Sequence, residues 1–244
     1  KQDELEIDVA LPRHEGVVDP YIGVTEACRR RDLTINAMLI HVHTQKLVDN
    51  FGGQQDLTDR ILRATDPQYF STDLLRVFRV GQFAARLQCS ISPELQQLCL
   101  ELTQRTDFTE LPKERVWIEL EKGWFKSTDP SIAVEVLLRL KALQRYFPAF
   151  TALSTIHQQR MVERLKKGAR FRDPENRGRT MGLFWALLTL DLSIEDTKLT
   201  MEHMGVEKYL GFPLIPALLG AKKCAPMLMN SQSTVVQNIC REHF

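Results

Sequence analysis

Apolar positions change their period part-way along the chain. Over residues 5–11, Leu5, Ile7, Val9 and Leu11 alternate with Glu6, Asp8 and Ala10, a period of two that predicts a strand closed by Pro12. A loop rich in Gly, Pro and charge is expected over 13–26. A helical turn is predicted over 32–38. Leu39-Ile40-His41-Val42-His43 then returns to period two, which places His41 and His43 on one strand face. Asp49-Asn50-Phe51-Gly52-Gly53 is turn chemistry, because Gly tolerates positive φ.

From about residue 54 the period becomes helical and stays so. Ser71 or Thr72 is expected to cap a helix running to about Leu87. Pro93 sits at the first turn of another helix, to about Arg105. Pro112 opens a third, to about Phe125, and 130–146 reads as a fourth. An amphipathic segment spans about 157–169. Asp173-Pro174-Glu175-Asn176-Arg177-Gly178 interrupts it before an almost wholly apolar helix over 181–190. The remainder, 194–244, reads as helix punctuated by Pro213, Pro216 and Pro226. The expected fold class is α+β and predominantly α: part of a sheet over 1–53, then helices over 54–150 and 151–244.

Composition narrows this only slightly. The 244 residues are 43% hydrophobic and 26% charged, with net charge +1, so any nucleic-acid-binding surface must be local. No run approaches the roughly 18 apolar residues of a membrane span, so no membrane partner and a cytoplasmic location are expected. The five cysteines are an odd set with no C-x-x-C pair, which predicts reduced thiols rather than a zinc site. The chain starts at Lys1 rather than Met and carries no signal peptide, so upstream sequence is expected to be missing.

Candidate chemistry concentrates in a few places. Arg29-Arg30-Arg31 cannot all face a core, and Asp32, Thr34 and Asn36 follow at once. Guanidinium forks beside short polar groups suit a triphosphate and a sugar hydroxyl. A solvated basic loop running into a capped helix is the plainer alternative. At about 100° per residue, Asp73, Arg76, Arg79, Phe83 and Arg86 fall on one side of the helix expected there. Leu74, Val77, Phe78, Gly81, Ala84 and Ala85 fall on the other. An ordinary amphipathic helix with i,i+3 ion pairs has the same pattern. Between 158 and 179, Arg160, Arg164, Lys166, Lys167, Arg170, Arg172, Arg177 and Arg179 stand against Glu163, Asp173 and Glu175. That excess fits either RNA phosphates or a solvated helix face.

Residues 30–38 resemble the R-R-D-x-T-I-N-A signature of nucleotidyltransferases of the DNA polymerase β superfamily that mature tRNA ends. Residues 49–57 with Ile61-Leu62-Arg63 look like that family's D-x-x-G-G-x-x-D-L connector. Residues 72–79 resemble its E-D-x-x-R motif, with 83–87 as the usual continuation, and 114–120 match a later neck signature. Four ordered motifs across about 1–150 mark the chain as similar to the CCA-adding enzymes and bacterial poly(A) polymerases.

That resemblance implies a partial palm over 1–53, a nucleotide-selecting neck over 54–150 and a tRNA-binding body and tail over 151–244. It implies addition of C and A to tRNA 3′ ends from CTP and ATP, with poly(A) addition or a non-catalytic RNA-binding paralogue as the alternatives. Arg30, Arg31, Asp32, Asn36, Asp73, Arg76 and Arg79 are its expected nucleotide-binding residues. Arg164, Lys166, Lys167 and Arg170 are the expected RNA contacts. A carboxylate accepts and a guanidinium donates, so Asp73 with Arg76 can pair with cytosine and adenine and leave guanine and uracil unsatisfied. The motif's usual Glu is Thr72 here, which puts the orienting bond of that carboxylate in doubt. Magnesium would be held by an Asp-x-Asp pair, but none lies near the start, and Asp8 is the nearest carboxylate expected to approach the metals. No metal ligand is therefore expected in this stretch, and the 244 residues alone are expected to be inactive. Many bacterial relatives continue into a hydrolase domain with a His-Asp metal motif. The comparable stretch, 182–189, has neither residue and is expected to be a structural helix.

Overall fold

The computed structural model of the protein describes residues 21–229 and the strands Arg13–His14 (β1) and Val17–Val18 (β2), with side chains from Tyr21 to Lys222. The strand expected over 5–11, and Asp8 on it, lie outside the described residues. Contacts divide the chain into two units, Lys1–Asp73 and Leu74–Phe244.

In the first unit, β1 and β2 pair antiparallel. Helix α1 (Val24–Arg29) follows, then a tight turn of 3-10 helix at Thr34–Asn36. A hairpin of β3 (Leu39–Ile40) and β4 (Leu47–Val48) sets Leu39 opposite Val48. Helix α2 (Gly53–Asp59), strand β5 (Ile61–Leu62) and the one-turn α3 (Pro67–Phe70) complete it. The unit reaches past residue 53 because 63–65 return to 32–34. Leu33 bridges Ala64, and the Thr34 amide donates to the Arg63 carbonyl at 3.1 Å. Its core is small: Cys28, Leu33, Ile35, Ala37, Leu62 and Phe70.

The period-two run from Leu39 does not stay a strand. His41 donates its amide to Lys46 at 2.9 Å, and Gln45, at φ 53°, donates to His41 at 2.8 Å. The chain therefore reverses there, and both histidines sit exposed in the hairpin turn rather than on a strand face.

The second unit is built of helices. In order these are α4 (Arg76–Leu87), α5 (Pro93–Thr103), α6 (Lys113–Phe125), α7 (Ser131–Arg139), α8 (Ala142–Tyr146), α9 (Thr155–Gly168), α10 (Arg177–Thr189), α11 (Ile194–Met204) and α12 (Leu214–Met229). The two-residue strand β6 (Ser90–Ile91) lies between α4 and α5, and the hairpin of β7 (Lys208–Tyr209) and β8 (Phe212–Pro213) between α11 and α12. Small residues set the close packing. A Cβ on Gly81 of α4 would lie 2.8 Å from Leu137, and one on Gly123 of α6 would lie 3.2 Å from Ala133, so both helices press on α7. Aromatic rings fill the middle. Trp117 stacks on Trp185 at 5.7 Å, Phe78 on Phe108 at 5.9 Å, and Tyr146 stands edge-on to Phe78 and Phe147.

Three helix expectations need correction. Ser71 and Thr72 do not cap α4; their hydroxyls donate back to Pro67 and Tyr69 carbonyls at 2.7 Å, closing α3, and α4 starts only at Arg76. The helix expected over 130–146 breaks at Lys141, whose φ of 60° ends α7 and starts α8. The final segment is not all helix: the β7–β8 hairpin interrupts it, and α12 continues through position 226 to Met229. The 181–190 segment is helical as expected, with Met181, Phe184, Trp185 and Leu188 buried.

Candidate functional site

Arg29 is the last residue of α1, and Arg30 and Arg31 follow it, at the helix end where the dipole favours cations. They do not play equal parts. Arg30 is locked: its Nε donates to Glu26 Oε1 at 3.0 Å, a guanidinium nitrogen reaches the Tyr69 hydroxyl at 3.2 Å, and the group lies 4.7 Å over the Tyr69 ring. The Tyr69 hydroxyl donates to the same Glu26 oxygen at 2.6 Å. That bond holds the Glu26 carboxyl below its usual range, helped by Arg30, and raises the Tyr69 phenol. Arg29 lies between Glu26 at 3.3 Å and Asp66 at 3.5 Å. Arg31 is exposed and makes no ion pair among the described residues.

The polar residues that follow are fixed from inside. Asp32 is buried, and its Oδ1 accepts from the Leu33 amide at 2.9 Å and from Asn36 Nδ2 at 3.0 Å. The Thr34 hydroxyl donates to buried Asp56 Oδ2 at 2.7 Å, while Arg63 Nε donates to the other Asp56 oxygen at 2.8 Å. Asp49 accepts the amides of Gly53 at 2.8 Å and Gln54 at 2.9 Å, which caps α2. Gly52 stands at φ 74°, where a side chain would be strained. Gly53 lies so close to Thr34 that an added Cβ would meet its carbonyl at 2.4 Å. The connector's Asp, paired glycines and second Asp thus form the mould that holds 32–36 in place. Glu26, Asp66 and Tyr69 complete the arginine cluster and were not foreseen. Tyr69 is 39 positions from Arg30, and no local spacing marks it.

Asp73 ends the first unit and is half-buried; Arg76 opens α4 in the second and is also half-buried. Because α4 begins after Asp73, the carboxylate is not on the helix face that the periodicity assigned to it. The rest of that face is as expected. Arg79, Phe83 and Arg86 point outward while Val77, Phe78, Gly81, Ala84 and Ala85 are buried. Arg79 lies 3.7 Å from the buried Glu119 carboxylate and 5.3 Å over Phe83, and Arg86 lies 5.5 Å over the same ring. Lys122 also binds Glu119, at 2.9 Å.

The basic run of the second unit separates into two classes. Arg164 faces Asp191 with contacts of 2.5 and 3.3 Å, Arg177 pairs with Glu121 and covers Phe125, and Arg172 donates to backbone carbonyls at the end of α6. These three hold helices together. Arg164, expected to contact RNA, is therefore turned towards a carboxylate of the protein itself. Arg160, Lys166, Lys167, Arg170 and Arg179 remain exposed. Among the described residues no three His, Cys, Asp or Glu gather as a metal site, and no helix is long and apolar enough to cross a membrane.

The family described as "Poly A polymerase head domain" matches residues 4–63. The "Multifunctional CCA protein" of Actinobacillus pleuropneumoniae serotype 5b is 35% identical over 207 residues, 77% of this chain and 48% of that protein. The protein of the same name from Mannheimia succiniciproducens is 42% identical over 137 residues, 55% of this chain and 32% of that one. The chain belongs to the CCA-adding enzyme family. It spans about half the length, or less, of the curated relatives it matches. Its fold is that of a solved tRNA nucleotidyltransferase complexed with a primer tRNA and an incoming ATP analogue. That likeness has a TM-score of 0.70 at 23% identity, over 94% of this chain and 68% of that one. Against other members of the CCA-adding family, the departure at Thr72 now has a structural counterpart. Its hydroxyl closes α3 on Tyr69, where the family's usual Glu would carry a second acid beside Asp73.

Proposed function

We propose that the intact protein adds C and A to the 3′ end of tRNA from CTP and ATP, in the cytoplasm and without a nucleic-acid template. The tRNA 3′ oxygen bonds to the α-phosphorus and gives up its proton, and the bond to the β-phosphate oxygen breaks to release pyrophosphate. The observation that carries the reading is the division of labour in the arginine motif. Arg29 and Arg30 are tied to acids, Asp32 and Asn36 are bonded to each other, and Arg31 stays exposed with no acid of its own among the described residues. A fixed frame with one available guanidinium suits an anionic ligand. Arg31 takes the triphosphate in this reading, with Asp32 and Asn36 beside the sugar and Arg30 bracing the cluster.

Asp73 and Arg76, three positions apart in the chain, then read the pairing edge of the incoming base. The curated relatives are named for CCA addition, which favours this reading over poly(A) addition. Lys166, Lys167 and Arg170 follow the tRNA phosphates. The family resemblance assigns Mg2+ to the reaction. Among the described residues no group of three His, Cys, Asp or Glu fits it.

Competition among the four NTPs on the complete protein tests base selection. Asp73→Ala and Arg76→Ala should each erase the preference for C and A over U and G, a loss of about 1–3 kcal/mol of discrimination per unpaired group. Unchanged preferences in both variants would remove the template role.

A further inference from the structure

Between α9 and α10 the turn Ala169–Phe171 presents an aromatic ring for which the fold has no use. Phe171 is 63% exposed. The residue beside it is among the most firmly anchored in the unit. Arg172 donates to the carbonyls of Trp124 at 2.5 Å, Ser127 at 2.8 Å and Thr128 at 3.3 Å, and its Nε donates to Ala169 at 2.9 Å. Its guanidinium also lies 5.6 Å over the Trp124 ring. The turn is thus pinned to the end of α6, and the Phe171 ring still points outward. The Arg170 guanidinium lies over that ring, 4.7 Å from its centroid, and makes no ion pair among the described residues.

Positive charge predominates around the ring. Lys167, on the last turn of α9, is exposed and makes no ion pair among the described residues. Lys166 is 71% exposed and only 3.8 Å from Asp129, a loose pair. Towards α10, exposed Asp173 and Glu175 are offset by Arg177 and Arg179, so the net positive charge lies on the α9 side. A polyanion laid on this surface is drawn to the α9 side of the turn.

We infer that Phe171 and Arg170 form a stacking platform for an unpaired RNA base, with Lys166 and Lys167 on the adjoining phosphates. A base carries a π-face whatever its identity, so the ring face not covered by Arg170 can receive it without sequence preference. The fixed backbone of the turn means that little conformational freedom is lost on binding. The inference rests on the reading of this unit as RNA-binding and adds to it where the RNA must be single-stranded.

Fluorescence anisotropy of the 244-residue chain tests it, with a hairpin RNA bearing a single-stranded 3′ tail and the same hairpin with a blunt end. Phe171→Ala should weaken binding of the tailed RNA by about 5- to 150-fold, the range for one base–aromatic stack, and leave the blunt hairpin little changed. Phe171→Trp should preserve the tailed complex. Lys167→Gln should weaken both RNAs and flatten the dependence on salt. A Phe171→Ala protein that holds the tailed RNA as tightly as the parent overturns the platform, as does an equal loss on both RNAs. If Lys167→Gln weakens binding while Phe171→Ala is silent, the RNA reading stands and the platform falls. If the parent chain binds neither RNA, both fall together.

Discussion

The two units reach order by different means. In the first, few apolar side chains are buried, and carboxylates do most of the fastening: Asp32 on Asn36, Asp49 on the start of α2, Asp56 on Thr34 and Arg63, Asp66 on the start of α3. In the second, a continuous set of rings from Phe78 through Tyr146, Phe147 and Trp185 occupies the interior. A structure fastened by single polar contacts is specific but fails one contact at a time. A ring-filled interior shares its load among many neighbours and fails as a whole.

The sharpest test of that contrast is Trp185→Ala. Trp185 is fully buried against Trp117, Phe147 and Phe184, so its truncation should cost about 3–5 kcal/mol and lower the urea midpoint of the whole second unit. A fall confined to α10 would show that the interior is not shared. Asp56→Ala comes next. It leaves the Thr34 hydroxyl buried without its partner, at about 1–3 kcal/mol. Amide exchange should quicken at Thr34 and along α2 and stay unchanged in α10. Faster exchange throughout both units would contradict the piecewise picture.

Acid should separate the units most gently. Burial lowers the His203 pKa, and the charge of Lys113 lowers it further, while the ring stands edge-on to Tyr146 and Phe147. The unfolded chain then binds the proton first, so this contribution is intact above the ordinary imidazole range and fades as pH falls through it. Burial pushes the Asp49 carboxyl up, but the amides of Gln54, Gly53 and Phe51 outweigh it and the net shift is downward. Its contribution holds above the ordinary carboxylate range and is lost only below it. A pH titration followed by NMR should therefore show α11 loosening before α2. His203→Phe should remove the first step alone, and the reverse order would be inconsistent with these shifts.

Legibility in the sequence followed the range of each signal along the chain. Pro93, Pro112 and the apolar run of α10 announced their helices because each signal is local. The connector was legible as a turn, since Asp49 and the glycines act within five positions. Its role as the mould for 32–36 was not, because Thr34 meets Asp56 across 22 positions. The start of α4 was misplaced because a hydroxyl before an amphipathic run looks like a cap, whichever helix it serves. The break at Lys141 was hidden for a related reason: lysine gives no warning of a positive φ. Among the site residues, the sequence named the arginines but could not tell the locked Arg30 from the available Arg31. That distinction depends on Tyr69, which lies far away in the chain.

The Lys222 ammonium has a consequence of its own. It enters from α12 and donates to the carbonyls of Thr189 and Leu192 at 2.6 Å and of Leu190 at 3.2 Å. Burial lowers its pKa, partly offset by Asp191. Those oxygens lie at the C-terminal end of α10 and just past it. Unwinding that end would strand the ammonium, and withdrawing α12 would strand the oxygens. The two helices are thus riveted at one point, and any large movement of this part of the protein must carry them as a single lever.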